Sequence, residues 1–434
     1  MSQAQLDLVA TMEGQIAATS ATLAELKATL SAEPGPEPPE PSGDVITTPA
    51  ALDAALDAAA PGAVLTLSCT LVYPGQLTIG KSVTLQAETL DGARQTRDAP
   101  LPVVLDGLVV PAADVTIRGL DVRRTNHLTD IAIVSGANVT LDRCRILGDP
   151  VEGAKRGIAA NAINVVIVRC YIDDCFQSYP GSDSQAIIAW DTPGPILIDD
   201  NFLSAGSETI MLGGADPSCD ANVPADVTIR GNTITANPAW RDLAIGVKSR
   251  LELKLGRRVV VEDNEISYCW GGKGQDGYLL SLTVRNQSGS APYSTIEQIT
   301  IRNNWFHDGA AAINILAEDD NHPSGRLCDV EITGNEFTAI DHVQYAGSPK
   351  LMLVGRGPLR TTIGGNTFAG GTHTSTIYFH GPEPKCESFD VVDNTWPASK
   401  YGIFGSDTPS GSTAWEYYVA SGTCEGNEVT DAAG

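Results

Sequence analysis

No run of about 18 apolar residues occurs in the chain, so no transmembrane helix is expected. Its start, MSQAQLDLVATMEGQ, lacks the basic region and apolar core of a signal peptide, and Sec-dependent export is not expected either. Basic residues are scarce: 28 Lys and Arg face 53 Asp and Glu, a formal charge of -25. A chain that repels phosphate in this way is not expected to bind nucleic acid; its acidity suits solubility and a neutral or cationic ligand. The nine cysteines, scattered from Cys69 to Cys424, form no C-x-x-C pair and have no His at zinc spacing. They read as small buried hydrophobes rather than disulfides.

What the chain does have is a repeat. VTIRGNTI from Val227 returns as ITIRNNWF from Ile299, VEITGNEF from Val330 and TTIGGNTF from Thr361. The frame begins at Val83, Val115, Val139, Val165, Ile196, Val227, Val259, Ile299, Val330, Thr361, Phe389 and, more weakly, Gly422, at intervals of about 24 to 40 residues and most often about 31. Between frames lies another apolar run, such as AIIAW at Ala186, TIMLGG at Thr209 or AINIL at Ala312. Each period therefore offers three short strands, without hairpin spacing or helical periodicity. The pattern predicts an all-β fold, a right-handed parallel β-helix of about twelve coils. The recurring Asn, from Asn201 through Asn232, Asn264, Asn304, Asn335, Asn366 and Asn394 to Asn427, is expected at the bend between two strands, in a left-handed conformation, bonded to the Asn of the next coil. Leu120, Cys144 and Cys170 take that place in the first coils.

Residues 1–31 carry a heptad seam, with Val9, Ile16, Leu23 and Leu30 at one core position and Met12, Thr19 and Leu26 at the other. A helix this rich in Ala and Thr is marginal alone, so the seam predicts a coiled coil, most simply a homotrimer, or docking on a partner. Residues 32–44, with EPGPEPPEPSG, read as an extended, semi-stiff spacer. A short helix capped by Thr48 and ended by Pro61-Gly62 is expected within 45–62, covering the open end of a β-helix that occupies 63–434.

These features resemble the right-handed parallel β-helix proteins, the architecture of pectate-lyase-like enzymes and phage tailspikes. From about Gly206 to Trp396, GSETIMLGGADP, KSRLELKLGRRVVVEDNEISYCW and VRNQSGSAPYST are similar to segments of a bacterial β-helix repeat family, which supplies no catalytic residues to carry over. The helix and Pro/Glu spacer ahead of a β-helix resemble the front of a tailed-phage appendage. That resemblance implies a virion protein, a tailspike or tail fibre, assembled in the host cytoplasm and joined to other virion proteins through residues 1–44. It implies host attachment through binding of surface polysaccharide, with or without cleavage of it. The alternatives are a non-catalytic capsid or tail decoration fibre and a bacterial β-helix polysaccharide lyase or hydrolase.

If the chain is an enzyme, its chemistry is expected on the outer face of a sheet, where parallel coils lift side chains from successive turns into one groove. Glycoside hydrolysis needs two carboxyls about 5 to 9.5 Å apart, and coils about 4.8 Å apart can supply them. In LELKLG, alternation turns Leu251, Leu253 and Leu255 inward and Glu252 and Lys254 outward. Asp191, Glu208 and Glu252 are the candidate acids and bases. Lys254 and Arg285 are candidates to stabilise negative charge, with Asp216, Asn314, Trp270 and Tyr293 as further glycan-binding candidates. The competing readings are that Glu252 and Lys254 are solvated or paired across coils, that Asp216 serves a turn, and that Trp270 and Tyr293 pack long loops over the core. No metal and no cofactor is expected.

Overall fold

The computed structural model describes residues 44–124, 130–177, 183–243, 245 and 247–430. The expected helix over 1–31 and the spacer through residue 43 lie outside the described residues.

Each repeat folds into one coil of three short strands. In the coil from Ala225, the strands Ala225–Arg230, Thr233–Thr235 and Ser249–Leu253 go to three different sheets. These sheets hold 14, 13 and 12 strands and are called first, second and third in the order a coil visits them. Neighbouring strands pair in parallel, each with the equivalent strand of the next coil. The chain is a parallel β-helix.

The repeat frame sets the register. Val165, Ile196, Val227, Val259, Ile299 and Val330 lie one above another in the first sheet, and all are buried. Alternation of period two sends these residues and the ones two further on into the core, while the residue between, such as Thr228, Val260 or Glu331, stays at least partly outside. A shift by one residue would turn each inward row to solvent, so the pattern fixes the stacking. In the second sheet, Phe306, Phe337 and Phe368 form an inward column with ring centroids 4.4 and 4.6 Å apart.

At the corner between the first two sheets the Asn side chains form a continuous ladder. Asn232 Oδ1 accepts from the backbone and the side chain of Asn201, each at 2.9 Å, while Asn232 Nδ2 donates to Ile198 O, Arg230 O and Asn264 Oδ1. The ladder continues through Asn304, Asn335, Asn366 and Asn394 to Asn427. One expectation needs correction: the left-handed residue is the one before each Asn. Asp200, Gly231, Asp263, Asn303, Gly334 and Gly365 have φ between 54 and 63°. That residue makes the bend, which leaves the Asn side chain directed inward to satisfy the backbone groups the bend exposes. Leu120, Cys144 and Cys170 extend the ladder as an apolar stack, joined to it where the Cys170 backbone N–H donates to Asn201 Oδ1 at 2.8 Å.

The helix Pro49–Ala58 covers one end of the core. Thr48 Oγ1 accepts from the Ala51 N–H, and Leu52 is fully buried. Toward the other end, a second helix, Ser412–Tyr418, interrupts what the sequence presents as continuous coils; it buries Ala414 and stacks Tyr418 on Phe379 at 5.1 Å. All nine cysteines are free. Cys144, Cys170, Cys175, Cys269 and Cys386 are buried, whereas Cys219 is exposed, contrary to the reading of all nine as interior residues. Among the described residues no helix is long and apolar enough to cross a membrane.

Candidate functional site on the third sheet

The strands Gln185–Ala189, Glu208–Leu212, Ser249–Leu253, Tyr278–Thr283 and Ala311–Leu316 are consecutive in the third sheet. Ile187, Ile210, Leu251, Leu280 and Ile313 are in register and face the core. Ile188, Met211, Glu252, Ser281 and Asn314 form a column that faces the other way, whereas Gln185, Glu208, Ser249 and Tyr278 start the strands two residues before the inward column, with the alternation broken between them where Ala186 joins Ile187, and Leu279 joins Leu280, in the core. Ile188 and Met211 form, with Ala159, an apolar cluster separate from the core.

Glu208 and Glu252 sit one coil apart. Glu252 pairs with Met211, so their Cα atoms are offset by three residues along the strand, about 10 Å, and one strand across, about 4.8 Å. Their carboxyls nevertheless influence each other. Glu208 is fully buried. Its pKa is pushed up to about 8, first by burial, then by the negative charges of Glu252 and Asp183, with Lys248 and Lys254 pulling the other way. Glu208 Oε2 accepts from Gln185 Nε2 at 2.8 Å, and Oε1 lies 3.6 Å from Lys248 Nζ without a hydrogen bond. Glu252 Oε1 accepts from Thr283 Oγ1 at 2.9 Å, while its Oε2 is buried without a partner. Each carboxyl thus keeps one buried oxygen without a hydrogen bond. Protonation of Glu208 removes the cost of holding its charge in a fully buried position, a cost that Lys248 offsets only in part.

Lys248 bridges Glu208 to Asp183, with which it forms an ion pair. Burial works against its ammonium, but Glu208 and Asp183 outweigh that and raise its pKa. Lys254 follows Glu252 on the outward side. It passes so close to Gly213 that a Cβ there would lie 2.7 Å from Lys254 Cβ, and Gly213 also has φ +115°, so glycine is needed at that position.

Beneath this face lies Arg250, among the largest fully buried side chains. Its guanidinium donates to the carbonyls of Ala205, Gly206, Ser207 and Thr235 and to Thr209 Oγ1, at 2.7 to 3.2 Å. Burial lowers its pKa. The arginine thereby holds the bend that delivers Glu208 to the outer face, satisfying carbonyls that the turn takes out of the sheet.

The structure thus brings together Glu208, Glu252 and Lys254, with Asn314 two coils along the same column. It places the other candidates elsewhere. Asp191 accepts from the Ser218 N–H and hydroxyl and from Asn222 Nδ2; burial opposes its charge, but these donors prevail and lower its pKa. Asp216 accepts from the Ser288 and Ser290 N–H groups and the Ser290 hydroxyl, and again the donors outweigh burial to lower the pKa. Tyr293 donates to Pro217 O at 2.8 Å. Asp216 and Tyr293 therefore pin the loop after Gly213 to the long insertion that precedes Ile296. Arg285 pairs with Asp319 and Asp320. Trp270 is only 4% exposed and belongs to the core, so it presents no ring face to a ligand.

Sequence reasoning missed Gln185, Lys248, Thr283 and Arg250. Lys248 and Arg250 stand in VKSRLELKLG, where a cation ahead of strictly alternating leucines marks the break from bend to strand. Among the described residues no group of three or more His, Cys, Asp or Glu is placed to hold a metal ion.

No family model and no curated protein matches the chain. Several solved structures are similar. The catalytic unit of a GH87 alpha-1,3-glucanase from Streptomyces thermodiastaticus matches with TM-score 0.50 and 16% identity, over 91% of this chain and 67% of that one. A DFA-IIIase from Arthrobacter chlorophenolicus matches with TM-score 0.49 and 12% identity, over 89% and 96%. A tailspike of the E. coli bacteriophage HK620 matches with TM-score 0.46 and 12% identity, over 90% of this chain and 65% of the tailspike, so the chain spans less than two thirds of its length. At these identities the likeness to the glucanase supports the parallel β-helix fold alone.

Proposed function

We propose that this β-helix binds a surface polysaccharide and cleaves it on the outer face of the third sheet, as part of a phage virion appendage. The observation that carries the proposal is Glu208: a carboxyl held protonated near neutral pH, beside a second carboxyl, Glu252, on the next coil. A raised-pKa carboxylic acid paired with a carboxylate is what glycosidic hydrolysis requires. Glu208 gives its proton to the glycosidic oxygen as the bond to the anomeric carbon breaks. Glu252 serves the opposite face of the sugar, as base to a water or as nucleophile. Lys248 and Lys254 stabilise the Glu208 carboxylate once its proton has left, and Lys248 then has Glu208 as well as Asp183 for a partner. Because Glu208 is fully buried, its use requires the groups in contact with it, Gln185 and Lys248 among them, to move and admit the sugar.

The virion assignment rests on the sequence: the seam over residues 1–31 and the Pro/Glu spacer suit an anchor that docks on other virion proteins and associates as a homotrimer. A second reading, an adhesive fibre without catalysis, is favoured by the same burial of Glu208. Release of new reducing ends from host capsule or lipopolysaccharide separates the two. No release from any host polysaccharide that the protein measurably binds would overturn the catalytic reading. Binding of a peptide of residues 1–44 to purified capsids or tails tests the attachment.

A further inference from the structure

The face of the second sheet that turns away from the core carries a groove that the catalytic reading does not use. Its floor is made by the outward residues of strands Tyr171–Cys175, Phe202–Ala205, Thr233–Thr235 and Glu265–Cys269, which are consecutive in that sheet. A cavity of about 330 Å³ opens there, within the range of small-ligand sites. Phe202 and Tyr268 line it, and Phe202 is held flat by stacking on Tyr171 at 4.6 Å. Ser204, Thr235 and Ser267 put a row of hydroxyls along the floor on three successive coils, with Thr235 and Ser267 in mutual hydrogen bonding at 2.9 Å.

The charges in the groove select its occupant. Asp173 and Glu265 are both in the lining. The nearby cations are already paired: Arg97 with Asp173 and Asp174, at 2.6 and 2.7 Å, and Arg94, which donates to Thr233 Oγ1 at 3.1 Å, with Asp200 at 2.7 Å. A uronate or sulfated sugar would meet Asp173 and Glu265 with no unpaired cation among the described residues of the groove to receive it, at a cost in desolvation and repulsion. An uncharged pyranose meets aromatic faces for its C–H surface and hydroxyls and carboxylates for its own hydroxyls. One wall is formed by Asn237 and Pro238, which open the segment that runs on to Lys248, the cation beside Glu208. The two faces thus share one connecting segment at the same height of the coil stack.

We propose that this groove is a second glycan-binding site, which takes uncharged sugar residues of a polysaccharide and holds the polymer beside the third-sheet site. The proposal rests on the polysaccharide reading above and adds to it a place and a charge preference. The test uses the full chain on an array of neutral, N-acetylated, uronate and sulfated oligosaccharides. Binding to neutral or N-acetylated members is expected, weakened by about tenfold in Tyr268→Ala. Asn237→Trp, at an exposed rim position, places an indole at the cavity in exchange for the cap on the Ala239 N–H and is expected to weaken the same binding, with an unchanged urea midpoint showing that the fold is kept. The proposal is overturned if no glycan is bound, if only uronate or sulfated glycans are bound, or if both variants bind as the parent does. Normal binding by both variants, with cleavage intact in the parent, would remove the groove and leave the catalytic site. Groove-dependent binding without cleavage of the bound glycan would do the reverse.

Discussion

Replacing Glu208 by Gln changes one oxygen to nitrogen and leaves the side chain the shape of a protonated glutamic acid, so it isolates the proton on this buried group. In the folded protein the carboxyl is pushed up to about 8 from an ordinary 4.5, because burial and the charges of Glu252 and Asp183 penalise its ionised form. The folded state therefore holds a proton that the unfolded chain releases above pH 4.5. The stability this group contributes is fully present below pH 4.5 and is lost progressively as pH rises toward 8. One pKa unit corresponds to about 1.4 kcal/mol, so the full loss is of the order of a few kcal/mol, roughly 2 to 5. Glu208→Gln has no such loss. Urea denaturation of parent and variant at pH 5 and pH 9 should show similar stability at pH 5 and a variant more stable by roughly 2 to 5 kcal/mol at pH 9. A difference that does not change between the two pH values would refute the reasoning, since it would mean Glu208 ionises alike in folded and unfolded chains.

Other perturbations test other parts of the account. Asn232→Ala orphans the Asn201 backbone N–H and takes a donor from Ile198 O, so it should cost about 2 to 4 kcal/mol by denaturant titration while leaving glycan binding intact. Arg250→Met strips donors from four buried carbonyls and should destabilise by about 3 to 5 kcal/mol; a loss under about 1 kcal/mol would show that the bend before Glu208 holds itself. Removing residues 1–43 should leave a folded monomer, and a truncated chain that stays trimeric by light scattering would assign assembly to the coils instead.

The parts of this molecule that were legible in the sequence are those with a period. Alternation of two, repeated at intervals near 31 residues, determines which side chains of LELKLG face out and so places Glu252 and Lys254; Glu208 is set on the neighbouring coil by the same frame, but it stands two residues before the inward Ile210, so alternation alone does not turn it outward. The Asn ladder was readable for the same reason, although the strained residue proved to be its predecessor. What was not readable depends on where aperiodic segments fold back. Lys248 follows a loop whose path the repeat does not encode, and Gln185 precedes its apolar run, so neither showed its contact with Glu208. For Trp270 and Tyr293 the sequence offered both a sugar platform and loop packing, and the structure has the packing: one lies in the core and the other ties two loops together. The outer groove of the second sheet stayed hidden because its strands are so short that alternation gives only one or two outward residues per coil.

The central claim is that Glu208 and Glu252 form a working acid and base pair, and the most direct measurement is the rate of reducing-end release from a bound host polysaccharide across a pH series. The account predicts that cleavage by the parent protein falls as pH rises past about 8, where Glu208 gives up its proton. It also predicts that Glu208→Gln and Glu252→Gln each lower the rate by about 10²-fold or more at neutral pH. Parental rates in both variants, or cleavage that keeps rising through pH 9, would contradict it.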